Sequence, residues 1–165
     1  MILNMSLDLP GDGSFLWVTR LLGRTLLEHL GVVEEDIIDI EFVVGELCAN
    51  VIRHARSSDG RFQVAMEYHA DRVVITVTDH GAGFSFKDVL PVGAVRPDSD
   101  GGERIGGFGL DLVRSVADRL DFRRSDPHGT TVSAEKRLRY ASDAAAREAA
   151  QLDRDGGTSV SVSGG

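Results

Sequence analysis

Residues 35–56 read EDIIDIEFVVGELCANVIRHAR, and this stretch decides the fold. Its apolar side chains recur every three or four residues, at Ile37, Ile40, Val44, Leu47, Cys48, Val51 and Ala55. This spacing is typical of an amphipathic helix that packs one stripe against a core. Glu46 and Asn50 are four residues apart, so they are neighbours on one face beside the stripe, and His54 continues the row.

Outward from this helix, alternating apolar residues predict strands and three-to-four spacing predicts two more helices. The predicted elements are a strand over 3–9, a helix over 14–31, a hairpin over 62–78, a helix from 109 and two strands over 121–124 and 130–138. The order β-α-α-β-β-loop-α-β-β favours an α+β fold, a two-layer sandwich with its helices on one side of the sheet.

Two segments show no clear period. Residues 85–104 hold two prolines and several glycines and aspartates, which predicts a mobile loop. Residues 141–165 are Ala-rich and charged, then almost wholly Gly, Ser, Thr and Val. They predict a frayed helix followed by disorder. We therefore expect one domain over 1–140 and a disordered tail over 141–165.

Composition excludes several classes of protein. The 165 residues carry a formal net charge of −8, which argues against a nucleic-acid-binding surface. No run of about 20 apolar residues predicts a membrane span, and the start has no signal-peptide pattern. Cys48 is the single cysteine, so no disulfide forms within the chain, and we expect it to be a small buried apolar residue. A cytoplasmic location is the expectation.

The first glycine-containing motif after the helix over 35–56 begins at Asp79. Asp79-His80-Gly81-Ala82-Gly83 lies where a strand ends. A buried carboxylate there could accept a hydrogen bond from an exocyclic amine such as that of adenine, and the glycines let the backbone approach a flat ring. The alternative is a plain Asp-Gly turn.

Gly106-Gly107-Phe108-Gly109-Leu110 directly precedes a helix. Its free N–H groups and the helix dipole favour an anion, which predicts a phosphate site. It is neither a P-loop nor a dinucleotide-binding motif, and the alternative is a flexible lead-in to the helix. Gly129-Thr130-Thr131 opens the last strand, where a hydroxyl could bond to a base through water.

Taken together and in this order, the four elements resemble the gyrase, heat-shock ATPase, histidine-kinase and MutL superfamily, which shares the Bergerat ATP-binding fold with its mixed, mostly antiparallel sheet. Residues 46–50 resemble the N box, and Asp79-x-Gly81-x-Gly83 the first glycine box. Gly107-x-Gly109 resembles the second glycine box and Gly129-Thr130 the third. The resemblance covers about residues 3–138.

The resemblance implies ATP and Mg²⁺ as ligands and gives each residue a role. Asn50 would hold the Mg²⁺, Glu46 would be the general base, and Asp79 would bind the adenine amine. The remaining residues expected to bind the nucleotide are His54, Gly81, Gly83, Arg104, Gly107, Phe108, Gly109, Leu110 and Thr130. Residues 85–104 would be the ATP lid.

Within the superfamily, the chain is similar to the anti-sigma-factor serine kinases, which are freestanding domains of similar length. The resemblance implies a kinase that phosphorylates a serine on a STAS-domain antagonist protein, that binds a sigma factor and that forms a homodimer. Glu103-Arg104 resemble an acidic-arginine pair of that family, but the spacing departs because Ile105 and Gly106 intervene before Gly107.

Three other functions fit the same residues. The chain could be a nucleotide-switched module that binds a partner protein without phosphotransfer. It could be a slow ATPase that releases phosphate to water. It could also be a purely structural domain whose N box and glycine boxes are degenerate.

Overall fold

The structure, a computed structural model, describes residues 1–54, 60–79, 95–97, 103–105, 108–124 and 129–163. The elements in chain order are β1 (Leu3–Pro10), α1 (Leu16–His29), α2 (Glu34–His54), β2 (Arg61–Tyr68), β3 (Arg72–Asp79), β4 (Val95–Pro97), β5 (Glu103–Ile105), α3 (Phe108–Val116), β6 (Arg119–Arg124), β7 (Thr130–Arg137), α4 (Asp143–Asp155) and β8 (Thr158–Ser163). Among these helices, none is long and apolar enough to cross a membrane.

Six strands form one sheet in the order β6-β7-β3-β2-β1-β8. Every neighbouring pair is antiparallel except β1 and β8, which run parallel. The sheet is therefore mixed and mostly antiparallel, and the predicted α+β sandwich is confirmed.

Alternation along the strands sends one row of side chains into the core. On β2 and β3 every second residue is buried, and the residues between them are only partly covered. The buried row comprises Phe62, Val64, Met66, Tyr68, Val73, Ile75 and Val77. A single row on one face indicates that the helices cover that face and leave the other nearer to solvent.

The helices are held to the sheet and to each other by apolar packing and by a few ion pairs. Helix α2 buries Ile37, Ile40, Val44 and Leu47, the stripe that its sequence predicts. Arg24 of α1 donates to Glu41 of α2 over 2.7 Å, and this contact holds the pKa of the Glu41 carboxyl below its usual range. Lys136 of β7 pairs with Asp39 over 2.7 Å, which fixes α2 to the sheet.

Cys48 behaves as the sequence predicts for a small apolar core residue. It is free, and it is fully buried on the inner face of α2. Burial raises the pKa of its thiol to about 12, so the thiol stays protonated and unreactive.

The sequence predicts a frayed helix and then a disordered end over residues 141–165; a helix does form there, and the prediction of disorder is wrong for Thr158–Ser163. Helix α4 begins after Ser142, whose side chain accepts a hydrogen bond from the Ala145 N–H over 3.2 Å. Strand β8 then pairs with β1 from Leu3–Thr158 to Asp8–Ser163. The physical reason is the open edge of β1, whose backbone groups β8 satisfies.

The loop predicted over 85–104 contains regular structure at two points. Val95–Pro97 and Glu103–Ile105 form a separate two-stranded antiparallel ladder, with Arg96 opposite Arg104. The prediction of a segment without strands is therefore wrong there. The rest of that loop lies outside the described residues.

Candidate nucleotide site

The centre of the candidate site is the sheet end at which β3 finishes and β7 starts. Asp79 and Thr130 are directly opposite each other in the antiparallel pair. Both point into the helix-covered face, with exposed fractions of 0% and 4%. The residues before Asp79 in the same inward row are all apolar. Asp79, which the sequence predicts to bind the adenine amine, is thus a buried carboxylate at the end of an apolar row.

Asn50 lies on α2 at the edge of this core. Its side chain is only 9% exposed, and its Nδ2 has no hydrogen-bond partner among the described residues. Buried amides in folded proteins nearly always have partners, and an unpaired one costs about 1–3 kcal/mol. Asn50 is therefore available for a ligand.

Glu46 meets the first turn of α3. A Cβ added to Gly109 would lie 3.0 Å from Cδ of Glu46 and closer still to Oε2. A side chain at position 109 would therefore have to displace the Glu46 carboxylate from this place. The polar edge of α2 and the start of α3, which are about 60 residues apart in the chain, are thus brought together.

The N-terminus of α3 carries the positive end of its helix dipole. The helix begins at Phe108, so the backbone N–H groups of its first turn have no partner within the helix. Leu110 is 6% exposed and belongs to the hydrophobic core, so only its backbone could contact a ligand. This end of α3 can hold an anion such as phosphate.

Several predicted site residues lie outside what is described. Gly81, Gly83 and Gly107 are outside the described residues altogether. For His54, Arg104 and Phe108 the backbone alone is described, at the end of α2, in β5 and at the start of α3. Their roles in nucleotide binding stay predictions.

Sequence reasoning missed Arg53. Its Nη2 lies 3.8 Å from Oε2 of Glu46, and its side chain is 57% exposed. The signal was present, because residues seven apart lie two helical turns apart on the same face. The site predicted from the sequence contains only the helix residues spaced four apart, which are Glu46, Asn50 and His54.

The described residues fit a magnesium ion held mainly by phosphate. No group of three or more His, Cys, Asp or Glu in the described ranges could hold a metal by itself. Mg²⁺ in nucleotide sites needs few protein ligands, because waters and phosphate oxygens supply the others. Within the buried amide of Asn50, only the oxygen Oδ1 could serve as such a ligand, and the unpaired Nδ2 would instead donate to an acceptor such as a phosphate oxygen.

The geometry thus defines an α+β domain in which a helix edge, a strand end and a helix N-terminus meet. Residues 18–136 match the family described as the histidine kinase-like ATPase domain. Because the match spans most of the chain, the chain belongs to this family, as the resemblance of its motifs implied.

The curated relatives narrow the class to serine-protein kinases. The chain is 32% identical over 124 residues to the serine-protein kinase RsbW of Halalkalibacterium halodurans, which covers 73% of this chain and 75% of the relative. It is 28% identical over 142 residues to the serine-protein kinase RsbW of Bacillus pumilus, covering 81% and 85%. The chain is thus a member of the serine-protein kinase branch, as the sequence predicted.

A solved structure has the same fold. It is the crystal structure of the RsbU and RsbW domains of Rv1364c from Mycobacterium tuberculosis, with a TM-score of 0.57 and 18% identity. The match covers 83% of this chain, which spans only 34% of that longer chain. At this identity the likeness concerns the fold.

Proposed function

We propose that the chain is an ATP-dependent serine kinase that binds and phosphorylates a STAS-domain antagonist protein, and thereby acts as an anti-sigma-type regulator. One observation carries the proposal. The Glu46 carboxylate lies against the first turn of α3, beside an available Asn50 and at the sheet end that holds Asp79.

The nucleotide would lie across this sheet end. Asp79 would accept the hydrogen bond of the adenine amine, with Thr130 opposite it on β7. The first turn of α3 at Gly109 would donate backbone N–H bonds to phosphate. Asn50 would hold Mg²⁺, which neutralises phosphate charge when it is bound.

The transfer would place Glu46 as general base. The hydroxyl of a partner's serine gives its proton to the Glu46 carboxylate as its oxygen bonds to the γ-phosphorus. The bond between the γ-phosphorus and the bridging oxygen breaks, and ADP leaves with that electron pair. The chain contributes mostly alignment and a fixed electrostatic environment, which phosphoryl transfer chiefly needs.

The partner assignments follow from the family resemblance. A STAS-domain protein would be the phosphate acceptor, a sigma factor a second partner, and a homodimer the assembly, in the cytoplasm. Direct binding of nucleic acid is disfavoured by the net charge of −8.

The decisive experiment incubates the full chain with γ-labelled ATP, Mg²⁺ and a cognate STAS-domain protein. We expect label on a serine of the STAS protein, and Glu46→Gln should lower the rate by at least about a hundredfold while ATP still binds. Transfer at the original rate by Glu46→Gln rejects the base assignment. ATP binding without any transfer favours the alternative, a nucleotide-switched binding module.

A further inference from the structure

One oxygen of the Glu46 carboxylate, Oε2, lies between Gly109 and Arg53. Oε2 is the atom closest to the position that a Cβ on Gly109 would take. Oε2 is also the atom that faces the Arg53 guanidinium at 3.8 Å. The nearest carboxylate oxygen to each neighbour is Oε2, and the other oxygen, Oε1, is therefore the atom that we take for a further partner.

Neither backbone conformation nor helix propensity explains why position 109 is a glycine. Its φ is not in the left-handed region, because the described glycines with positive φ are Gly13, Gly31, Gly60, Gly129 and Gly156. It lies inside α3, where alanine is the better helix former. The backbone N–H that would contact phosphate is present in any residue but proline. A side chain at 109 would therefore act on the position of the Glu46 carboxylate, which would have to move away to make room for it.

We propose that Gly109 and Arg53 are positioning residues that together seat the Glu46 carboxylate. Gly109 provides the space, and Arg53 holds Oε2 with its charge. Oε1 is then directed to the hydroxyl of the phosphate acceptor. This inference deepens the proposed function and rests on it for the role of Glu46, while the seat itself is a packing arrangement that exists without catalysis.

The first test is a thermal-unfolding cycle of four proteins: the unmodified chain, Gly109→Ala, Glu46→Ala and the double variant. We expect Gly109→Ala to lower Tm when Glu46 is present, because the methyl collides with its carboxylate. In the Glu46→Ala background the collision partner is gone, so the same substitution should raise Tm through better helix propensity. An equal shift in both backgrounds overturns the proposal.

Gly45→Ala is the matched control. Gly45 is also a helical glycine, and a Cβ there would meet the guanidinium of Arg20, an exposed and flexible side chain. Its effect on Tm should therefore be the same whether residue 46 is Glu or Ala. A sign change here as well would show that Glu46→Ala perturbs α2 generally, and the cycle would then count against the seat.

The second test separates positioning from nucleotide contact at Arg53. We expect Arg53→Gln to lower kcat about tenfold or more with KM for ATP little changed, and Arg53→Lys to keep most of the rate. In the Glu46→Ala background, Arg53→Gln should leave ATP affinity by calorimetry unchanged. An equal loss of ATP affinity in both backgrounds would place Arg53 on the phosphate and overturn its proposed role.

The two tests distinguish failure of the inference from failure of the proposed function. The Tm cycle needs no phosphotransfer, so its change of sign supports the seat even if no acceptor is ever labelled. Conversely, robust transfer with no coupling between residues 46 and 109 keeps the kinase and rejects the seat.

Discussion

Two neighbouring strands of the sheet carry inward rows that differ at one position. On β2 the row is Phe62, Val64, Met66 and Tyr68, all apolar or aromatic and all buried. On β3 the row is equally apolar until Asp79, which lies directly opposite Phe62. The same level of the core thus holds a phenyl ring on one strand and a carboxylate on the next.

The difference shows where the apolar row of β3 ends and a charged side chain enters the core. Burying a phenyl ring is favourable, whereas burying a carboxylate is costly without a donor. A second buried aspartate sharpens the point. Asp36, 1% exposed, accepts hydrogen bonds from the backbone N–H and the guanidinium of Arg139 at 2.7 and 2.8 Å. Asp36 therefore serves the fold, whereas the sequence motif that begins at Asp79 is what places that aspartate in the proposed nucleotide site.

The largest expected effect is a loss of stability at Phe62, the apolar member of the pair that Phe62 forms with Asp79. Phe62→Ala should lower the free energy of unfolding by about 3–5 kcal/mol, because it removes buried area and leaves a cavity. Urea denaturation followed by circular dichroism measures this. A loss under about 1 kcal/mol would mean that the end of β2 is not part of the core that supports Asp79.

On the polar side, at Asp79, the substitution Asp79→Asn should lower ATP affinity by about 30- to 100-fold, because a neutral amide oxygen accepts the bond from the adenine amine more weakly than a carboxylate and the new NH2 group cannot accept it. Its unfolding free energy should change far less than that of Phe62→Ala. Calorimetric titration with ATP tests this, with Asp121→Asn, an aspartate paired with Arg119, as control. Equal affinities for the two variants would remove Asp79 from the site.

For Asp36 the comparison of the two buried aspartates predicts the opposite result, which is a loss of stability without a loss of ATP affinity. Asp36→Asn should cost about 1–3 kcal/mol of stability, since it weakens charge-assisted bonds to Arg139 in a buried position. ATP affinity should stay within error of the unmodified chain. A variant that loses ATP binding while remaining fully stable would contradict the division between structural and ligand-binding carboxylates.

The smallest expected effect on stability comes from an ion pair near the β1–β8 edge of the sheet. The N-terminal ammonium donates to Asp153 and, as the main cause, lowers the pKa of its carboxyl below the ordinary 3.8. The stabilisation is therefore present above pH 3.8 and is lost as pH falls through the lower folded value. Because the two groups are still 35% and 29% exposed, solvent weakens the pair and we expect less than about 1 kcal/mol. The Tm difference from Asp153→Asn should shrink between pH 5 and 3; a constant difference would refute the pairing.

Local pattern was enough to predict most of the fold. The strands around Asp79 and the long helix with Glu46 and Asn50 were predicted within two residues or so, because alternation and helical spacing are local properties. Their assembly at one sheet end was predicted through the resemblance of the four motifs. The roles of the individual site residues stay predictions.

Non-local contacts account for what the sequence did not predict. Strand β8 is built of Ser, Thr and Val in a Gly- and Ser-rich context that resembles disorder. Its backbone is satisfied only by β1, about 150 residues earlier in the chain, and no local pattern reports that partner. Arg53 was missed for a related reason, since its significance arises from Glu46 being already pressed against Gly109.

The parallel pairing of β8 with β1 also determines at which end of the sheet a reporter fused after β8 would be attached. Ser163 lies beside Asp8, at the same end of the sheet as Asp79 and three strands away, or about 14 Å at the usual strand spacing. Met1 lies at the opposite end. A reporter joined after residue 163 would therefore stand at the same end of the sheet as the proposed nucleotide site, whereas one joined before Met1 would be at the opposite end.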